Sequence, residues 1–361
     1  MTASLFTPIA LGGVELANRI AVSPMCQYMA DDGSANDWHL MHLGQFAMGA
    51  AGLVMTEATH VSRAGRISHR CLGLYSDDNE TQLKRAIDFC RRHGVAKLGI
   101  QLAHSGRKGS AHTPAEGGKP LGPEESPWTT VAPSALPFGP GWHLPEALSE
   151  KGLSQVKREF IDAAKRAARI GFDVAELHAG HGYLLHEFLS PISNRREDGY
   201  GGSTVNRMRF PLEVFEAVRG AWPPERALGV RVSATDWLDG GWTPEETVLF
   251  GRELKALGCD FLDVTSGQLD PRQQIPFAPG YNVPFARKVK KETGIVTISV
   301  GMISRAAQAE DIVAGGSADM VAIARAMMDD PRWAWHAARE LGAQTAYAPN
   351  YMRCHPSVWK P

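Results

Sequence analysis

Cysteine is scarce and unpatterned in this chain. Cys26, Cys71, Cys90, Cys259 and Cys354 are the only five in 361 residues, and no two form a C-x-x-C pair. An odd, scattered set argues against a disulfide framework, a zinc ribbon or an iron–sulfur cluster, and it fits a reducing cytoplasm. Charge of one sign is lacking too: 38 Lys plus Arg stand against 39 Asp plus Glu, a net charge of -1. That balance leaves no electrostatic footprint for nucleic acid or for an anionic membrane. No run approaches ~20 apolar residues, the length that crosses a bilayer, and the first residues have neither the basic flank nor the apolar core of an export signal. A cytoplasmic protein without nucleic-acid or membrane partners is expected. A G-x-G-x-x-G loop after the first apolar run is also missing, which removes the phosphate loop of a dinucleotide-binding sheet.

What is present centres on Val174 to Tyr183, which reads Val-Ala-Glu-Leu-His-Ala-Gly-His-Gly-Tyr. An apolar run with the look of a buried strand ends at His178, and glycines separate His178, His181 and Tyr183. Two imidazoles at a strand end can hold a carbonyl oxygen or a phenolate between them, and a phenol can hand over a proton. Histidines at i and i+3 can also chelate a metal, but Glu176 and Glu187 complete no recognised metal signature with them.

Along the chain, apolar runs alternate with helical periodicity. The predicted strands are Asn18 to Met25, Leu53 to Ala58, Lys97 to Ala103, Asp173 to His178, Leu228 to Ala234, Phe261 to Thr265, Val296 to Val300 and Met320 to Ala324. Helical spacing covers Trp38 to Ala50, Asp77 to His93, Ser149 to Ile170, Asn206 to Ala221, Thr243 to Leu257, Val283 to Thr293, Arg305 to Ala314 and about Pro331 to Leu341. Several of these helices stop at glycine, and Thr-Pro-Glu-Glu at Thr243 is a helix-start signature. From His104 to Pro145 the composition shifts to Gly, Pro, Trp and Ser with little periodicity, a long excursion expected to lie over the site as a lid. Eight strand–helix pairs without a linker-like break favour an α/β fold, a closed (β/α)8 TIM barrel, over an open doubly wound sheet.

In such a barrel the chemistry belongs at the carboxyl ends of the strands. Those ends carry Met25 and Cys26, Ala58, Gln101, His178, Arg231, Gly301 and Arg325. Gln101 can both donate and accept at an amide-like edge, Arg231 offers a fixed cation, and Gly301 lets backbone approach a phosphate whose charge Arg325 neutralises. Together these describe a flavin mononucleotide site at the usual phosphate corner after strands seven and eight.

Ser23-Pro24-Met25-Cys26 followed by Tyr28, Gln101-Leu-Ala-His-Ser-Gly-Arg-Lys108, His178-Ala-Gly-His-Gly-Tyr183, and Asp198-Gly-Tyr-Gly-Gly-Ser203 with Asn206-Arg207 resemble the old yellow enzyme family. The resemblance runs from about Leu5 to Arg353, and Cys26 with Tyr28 is similar to its thermophilic-like subclass of NADPH dehydrogenases and xenobiotic reductases. It implies a single FMN-binding barrel domain over residues 1–361. The implied function is that of an ene-reductase: tightly bound, non-covalent FMN, NADPH or NADH as hydride donor, and ping-pong hydride transfer through flavin N5 onto activated alkenes.

Residue by residue, the resemblance implies that Ser23, Pro24, Met25 and Cys26 line the flavin, with the Cys26 thiol near its N5/O4 edge. Ala58 packs against the ring, Gln101 bonds the pyrimidine edge, Arg231 lies near N1 and O2, and Gly301, Ala324 and Arg325 hold the phosphate. His178 and His181 bind the substrate oxygen, Tyr28 adds a contact, and Tyr183 protonates the alpha carbon. Many family members carry asparagine where this chain has His181. Ala348-Pro-Asn-Tyr-Met-Arg353 resembles the subclass segment that sends an arginine, here Arg353, into a neighbouring subunit of a homodimer or dimer-based tetramer.

Other classes of chemistry fare worse. No lysine falls at a predicted strand end for a Schiff-base lyase, and a carboxylate-rich ligand set for a metal-dependent hydrolase is missing. The larger iron–sulfur dienoyl reductases of the same family are opposed by the missing cysteine cluster.

Overall fold

The computed structural model describes residues 3–359. Eight parallel strands close into a barrel in sequence order: β1 (Ile20–Val22), β2 (Leu53–His60), β3 (Lys97–Ala103), β4 (Val174–Ala179), β5 (Ala227–Ser233), β6 (Phe261–Thr265), β7 (Val296–Ser299) and β8 (Met320–Ile323). The ring closes where β8 pairs β1, with Val321 opposite Ile20 and Ile323 opposite Val22. Strands buried on both faces read as continuous apolar runs, which is why they stand out in the sequence. The outer helices are α1 (Asp37–Ala47), α2 (Asp77–His93), α3 (Glu150–Ile170), α4 (Thr204–Ala221), α5 (Pro244–Ala256), α6 (Val283–Thr293), α7 (Ala306–Ala314) and α8 (Trp333–Glu340). Their ends follow local chemistry: Ser149 accepts from the Gly152 N–H at the start of α3, and Thr243 forms a reciprocal cap with Glu246 at the start of α5.

Several expectations are adjusted. The first strand is three residues long; past Ser23 the chain leaves regular strand geometry, with Tyr28 at φ 55. A six-residue helix, Leu184–Leu189, follows directly on Tyr183, and a five-residue helix, Arg325–Asp329, precedes α8. Arg325 therefore opens that short helix rather than ending β8. The excursion after β3 contains three short 3₁₀ turns and a small parallel pair, Val131–Ala132 with Glu146–Ala147.

An antiparallel hairpin, Ile9–Leu11 with Val14–Leu16, precedes the barrel. Its Leu11, Val14 and Leu16 pack with Leu53, Met55, Val174, Ala227, Phe261, Ile298 and Met320 from the starts of the strands. Removing these side chains from water stabilises the closed end by roughly 1.5–3 kcal/mol each. Glycine makes room for this plug: a Cβ on Gly229 would stand 2.5 Å from the Phe261 ring.

Candidate active site

Register builds the site in layers across the mouth. Ala58 on β2 lies opposite Gln101 on β3, and Gln101 lies opposite Glu176 on β4; an irregularity between Met55 and Ala58 re-phases β2 to make the first match. One step higher, His178 faces Arg231 on β5 and Arg231 faces Asp263 on β6. Gln101 donates Nε2–H to Glu176 Oε1 at 2.8 Å, which leaves its carbonyl oxygen as the group turned elsewhere. Arg231 Nε stands 3.2 Å from Asp263 Oδ2, close but poorly aligned for a hydrogen bond. Two buried carboxyls thus share one guanidinium. Burial, and then the neighbouring Asp263, pushes Glu176 up to about 8, and burial raises Asp263 against the pull of Arg231.

His178, His181 and Tyr183 form one cluster. The His178 ring sits edge-on to His181 at 5.1 Å between centroids and edge-on to Tyr183 at 4.9 Å. The Gly180 N–H donates to His178 Nδ1 at 3.2 Å, so in the neutral ring Nε2 carries the proton and is the donor. His181 Nε2 meets the Thr265 hydroxyl at 3.0 Å, leaving Nδ1 as the nitrogen open to a further partner. Burial lowers both imidazoles well below the usual histidine range; His181 lowers His178 next, and Arg231 is the next cause for His181. Both are neutral, single-proton donors at neutral pH. Burial also raises Tyr183 well above the usual phenol range, so it holds its proton.

The positive φ of His181, 56°, is clamped on every side. Its N–H donates to Ser233 Oγ at 2.9 Å, and Lys108 Nζ donates to its carbonyl at 2.9 Å and to the Gln268 carbonyl at 3.0 Å. The next N–H, of Gly182, donates to His186 Nδ1 at 2.9 Å, and His186 Nε2 lies 2.9 Å from Asp236 Oδ1. Lys108 also stands 5.2 Å from the Tyr183 ring centre and 4.8 Å from that of Phe138, which brings the lid excursion onto the proton-bearing corner. Beneath it, the Arg107 N–H donates to buried Glu187 at 2.8 Å. Burial drives Lys108 down to about 8 and Glu187 up to about 8.

A cavity of about 440 Å³ opens beside this cluster, lined by His181, Arg231, Asn282, Gly301, Ala324 and Arg325 among others. Gly301 has φ 121, and a Cβ there would meet the Tyr281 ring at 3.0 Å. Arg325 is exposed and has no ion pair or hydrogen bond among the described residues, so its charge is free for an anion. Ser23 joins this corner, its N–H donating to the Ile323 carbonyl at 3.0 Å. A free cation, a side-chain-free backbone cradle and an amide acceptor deeper in the barrel suit the phosphate and pyrimidine ends of FMN.

The segment Ser23, Pro24, Met25 and Cys26 borders the mouth. Burial, followed by the charge of Glu57, keeps the Cys26 thiol protonated, and burial likewise raises the Tyr28 phenol, with Cys26 as the next cause. Glu57 accepts from the Gln27 N–H at 3.1 Å and lies 3.4 Å from His39 Nε2. Arg353 is not brought to the mouth of its own chain: it is exposed on a 3₁₀ turn, Pro349–Cys354, beside Tyr351, whose ring neighbours Trp335 of α8. Sequence reasoning missed Thr265, which the strand-end rule would have found, and Lys108, which stood in a quoted motif without a role. It also missed Asn282, for which no local signal exists. Among the described residues no three His, Cys, Asp or Glu side chains converge as a metal ligand set, and no helix is long and apolar enough to cross a membrane.

Comparison with known proteins agrees with this geometry. Residues 4–344 match the NADH:flavin oxidoreductase / NADH oxidase family. An NADPH dehydrogenase of Geobacillus sp. (strain WCH70) is 41% identical over 355 residues, covering 98% of this chain and 99% of that one. An NADPH dehydrogenase of Listeria innocua serovar 6a is 42% identical over 358 residues, covering 99% of each. Among solved structures, morphinone reductase superposes with a TM-score of 0.79 at 28% identity over 96% of this chain and 91% of its own. A 2-naphthoyl-CoA reductase complex superposes with a TM-score of 0.85 at 25% identity, over 94% of this chain but 53% of the larger protein.

Proposed function

For a chain that belongs to the NADH:flavin oxidoreductase / NADH oxidase family, the old yellow enzymes, and is therefore an FMN-dependent oxidoreductase, we propose ene-reductase activity on α,β-unsaturated carbonyl and nitro compounds. The observation that carries this reading is the donor pair. His178 is fixed as an Nε2–H donor by the Gly180 N–H, and His181 stands beside it with a protonated phenol, Tyr183, 4.9 Å from His178.

Bound FMN supplies the centre that takes hydride from NADPH or NADH and passes it to the substrate's beta carbon. Ser23, Pro24, Met25, Cys26, Ala58, Gln101, Arg231, Gly301, Ala324 and Arg325 are the residues that would hold it. His178 and His181 bind the carbonyl or nitro oxygen and stabilise the negative charge that grows there; one such donor in an oxyanion site is worth ~2.7–4 kcal/mol. Tyr183 places its proton on the carbon next to that carbonyl, and Tyr28 borders the substrate. Neutral imidazoles suit this task, because a charged pair would bind anions in the resting site. NAD(P)H and the alkene would occupy this one site in turn, a ping-pong order.

We further propose that the whole chain, 1–361, acts as one domain in the cytoplasm, a location supported by five free cysteines. Arg353, exposed and remote from its own site, would enter a partner's site in a homodimer or dimer-based tetramer. Sedimentation that finds only monomer at micromolar concentration removes that last element. The activity itself is tested by colour: the purified protein is yellow, bleached by NADPH without oxygen, and recoloured by cyclohexenone. Recolouring by oxygen alone, with cyclohexenone and nitroalkenes inert, sinks the ene-reductase reading and leaves a flavin NADPH oxidase.

A further inference from the structure

Asn282, in the loop before α6, is fully buried, lines the cavity beside Gly301, and leaves its amide Nδ2 without a hydrogen-bond partner. A buried donor without an acceptor is unfavourable, so a group placed this way calls for one. Which end of the amide faces the cavity is set by a relay. The Trp237 indole is a donor only, and its Nε1–H points to Ser266 Oγ at 2.9 Å. With one lone pair so engaged, the Ser266 hydroxyl hydrogen is turned to Asn282 Oδ1, 2.7 Å away. The oxygen of Asn282 is thereby used and both amide hydrogens remain. Nδ2 lies 2.9 Å from where a Gly301 Cβ would stand, on the same cavity as Arg325.

We infer that Asn282 is a binding residue for the polyol-phosphate chain of FMN, donating through Nδ2 to one of its oxygens, and that Trp237 and Ser266 are positioning residues that fix the amide in the donating orientation. This rests on the cofactor assignment above. It places a neutral donor beside the Gly301 cradle, where Arg325 supplies the charge, and it explains why a tryptophan in the loop after β5 adopts a positive φ of 56° to reach Ser266. Trp237 is further held by the Phe285 ring, edge-on at 5.4 Å.

The test is titration of apoprotein with FMN and, separately, riboflavin, following quenching of flavin fluorescence, with apoprotein melting as the folding control. Asn282→Leu is expected to weaken FMN binding about tenfold, the equivalent of ~1.4 kcal/mol. Asn282→Asp, nearly the same shape, is expected to weaken it more than leucine does, because the carboxylate can only accept. Trp237→Phe, which frees the serine hydroxyl and lets the amide turn over, is expected to cost about threefold. A loss equal for riboflavin and FMN assigns the polyol as acceptor, and a loss confined to FMN assigns the phosphate; both support the inference. Leucine and aspartate variants that bind within twofold of the wild type overturn it. Should those variants fail to fold, Trp237→Phe decides, and unchanged affinity there overturns the relay. Wild-type apoprotein that takes up no flavin defeats the cofactor assignment instead.

Discussion

The two ends of the barrel are built from the same eight strands and are opposites. At the amino ends, the hairpin side chains Leu11 and Leu16 are fully buried among the apolar side chains of Leu53, Met55, Phe261, Ile298 and Met320. At the carboxyl ends, buried polar atoms stand without aligned partners: His60 Nδ1 and Nε2, Glu187 Oε2, Arg231 Nε, Asp263 Oδ1 and Asn282 Nδ2. Close-packed apolar contact stabilises the fold, whereas unmet hydrogen-bonding capacity costs stability and is kept where a ligand can use it. The plug is thus a stability element and the mouth a chemical one, and substitutions should separate the two.

The largest expected separation is at Tyr183. Tyr183→Phe removes the proton donor and leaves the edge-on ring contact to His178, so reoxidation of the NADPH-reduced enzyme by cyclohexenone should slow by ~10²- to 10⁴-fold. Reduction by NADPH and the melting temperature should change little. Stopped-flow measurement of the two half-reactions checks this, and equal slowing of both removes Tyr183 from the donor role.

The converse change is in the plug. Leu16→Ala should cost ~2–5 kcal/mol in denaturant unfolding, with both half-reaction rates per folded molecule unchanged. If Leu16→Ala instead altered turnover at full occupancy, the two ends would not be independent. Smaller still is the expected effect of Arg325→Met: loss of a charge-assisted contact to phosphate, ~1.5–3 kcal/mol, should weaken FMN binding roughly ten- to a hundredfold while riboflavin binding and apoprotein melting hold steady.

The same contrast explains what was legible in the sequence. The barrel strands were readable because both faces of each are buried, as in β2, β4 and β5, where every residue is buried. The strand-end residues could be assembled because a closed parallel barrel brings all its carboxyl ends to one mouth, whatever lies between them. The plug was missed although Gly12-Gly13 between two apolar runs is a hairpin signal; strands of three residues are too short to show alternation. Leu184–Leu189 was hidden because six residues carry less than two turns of periodicity. The Trp237, Ser266 and Asn282 relay joins the loop after β5 to the two ends of the connection between β6 and α6 and has no local pattern. The Glu176, Asp263 and Arg231 group needed cross-strand register, since alternate residues on different strands meet only once the barrel is closed.

Acidity sharpens the comparison last. Buried histidines held neutral at the mouth, His60 lowered to about 3, His104 to about 4, and His178 and His181 well below the usual range, bind protons more readily in the unfolded chain. His42 on α1, lowered to about 4, acts the same way. Their stabilisation is present above pH ~6.5 and is lost as pH falls through their folded values. Glu176 and Glu187, both raised to about 8, have the opposite sign: the stability they contribute is present at low pH and lost as pH rises through about 8. Lys108, lowered to about 8, favours the fold above its unfolded value and loses that contribution as pH falls through about 8, so below pH 8 it adds little slope. Between pH 6.5 and 8 the buried carboxyls of the mouth, Glu187 and the Glu176 and Asp263 pair, therefore dominate, and apoprotein stability should fall with rising pH by less than the one-proton limit of ~1.4 kcal/mol per pH unit for each. Glu187→Gln should flatten that flank in urea titrations across the window, while Leu16→Ala should lower the whole curve without changing its slope. A slope that survives glutamine at Glu176 and Glu187 together with asparagine at Asp263 would place the titrating group outside the mouth and end the assignment of the protein's pH sensitivity to that end of the barrel.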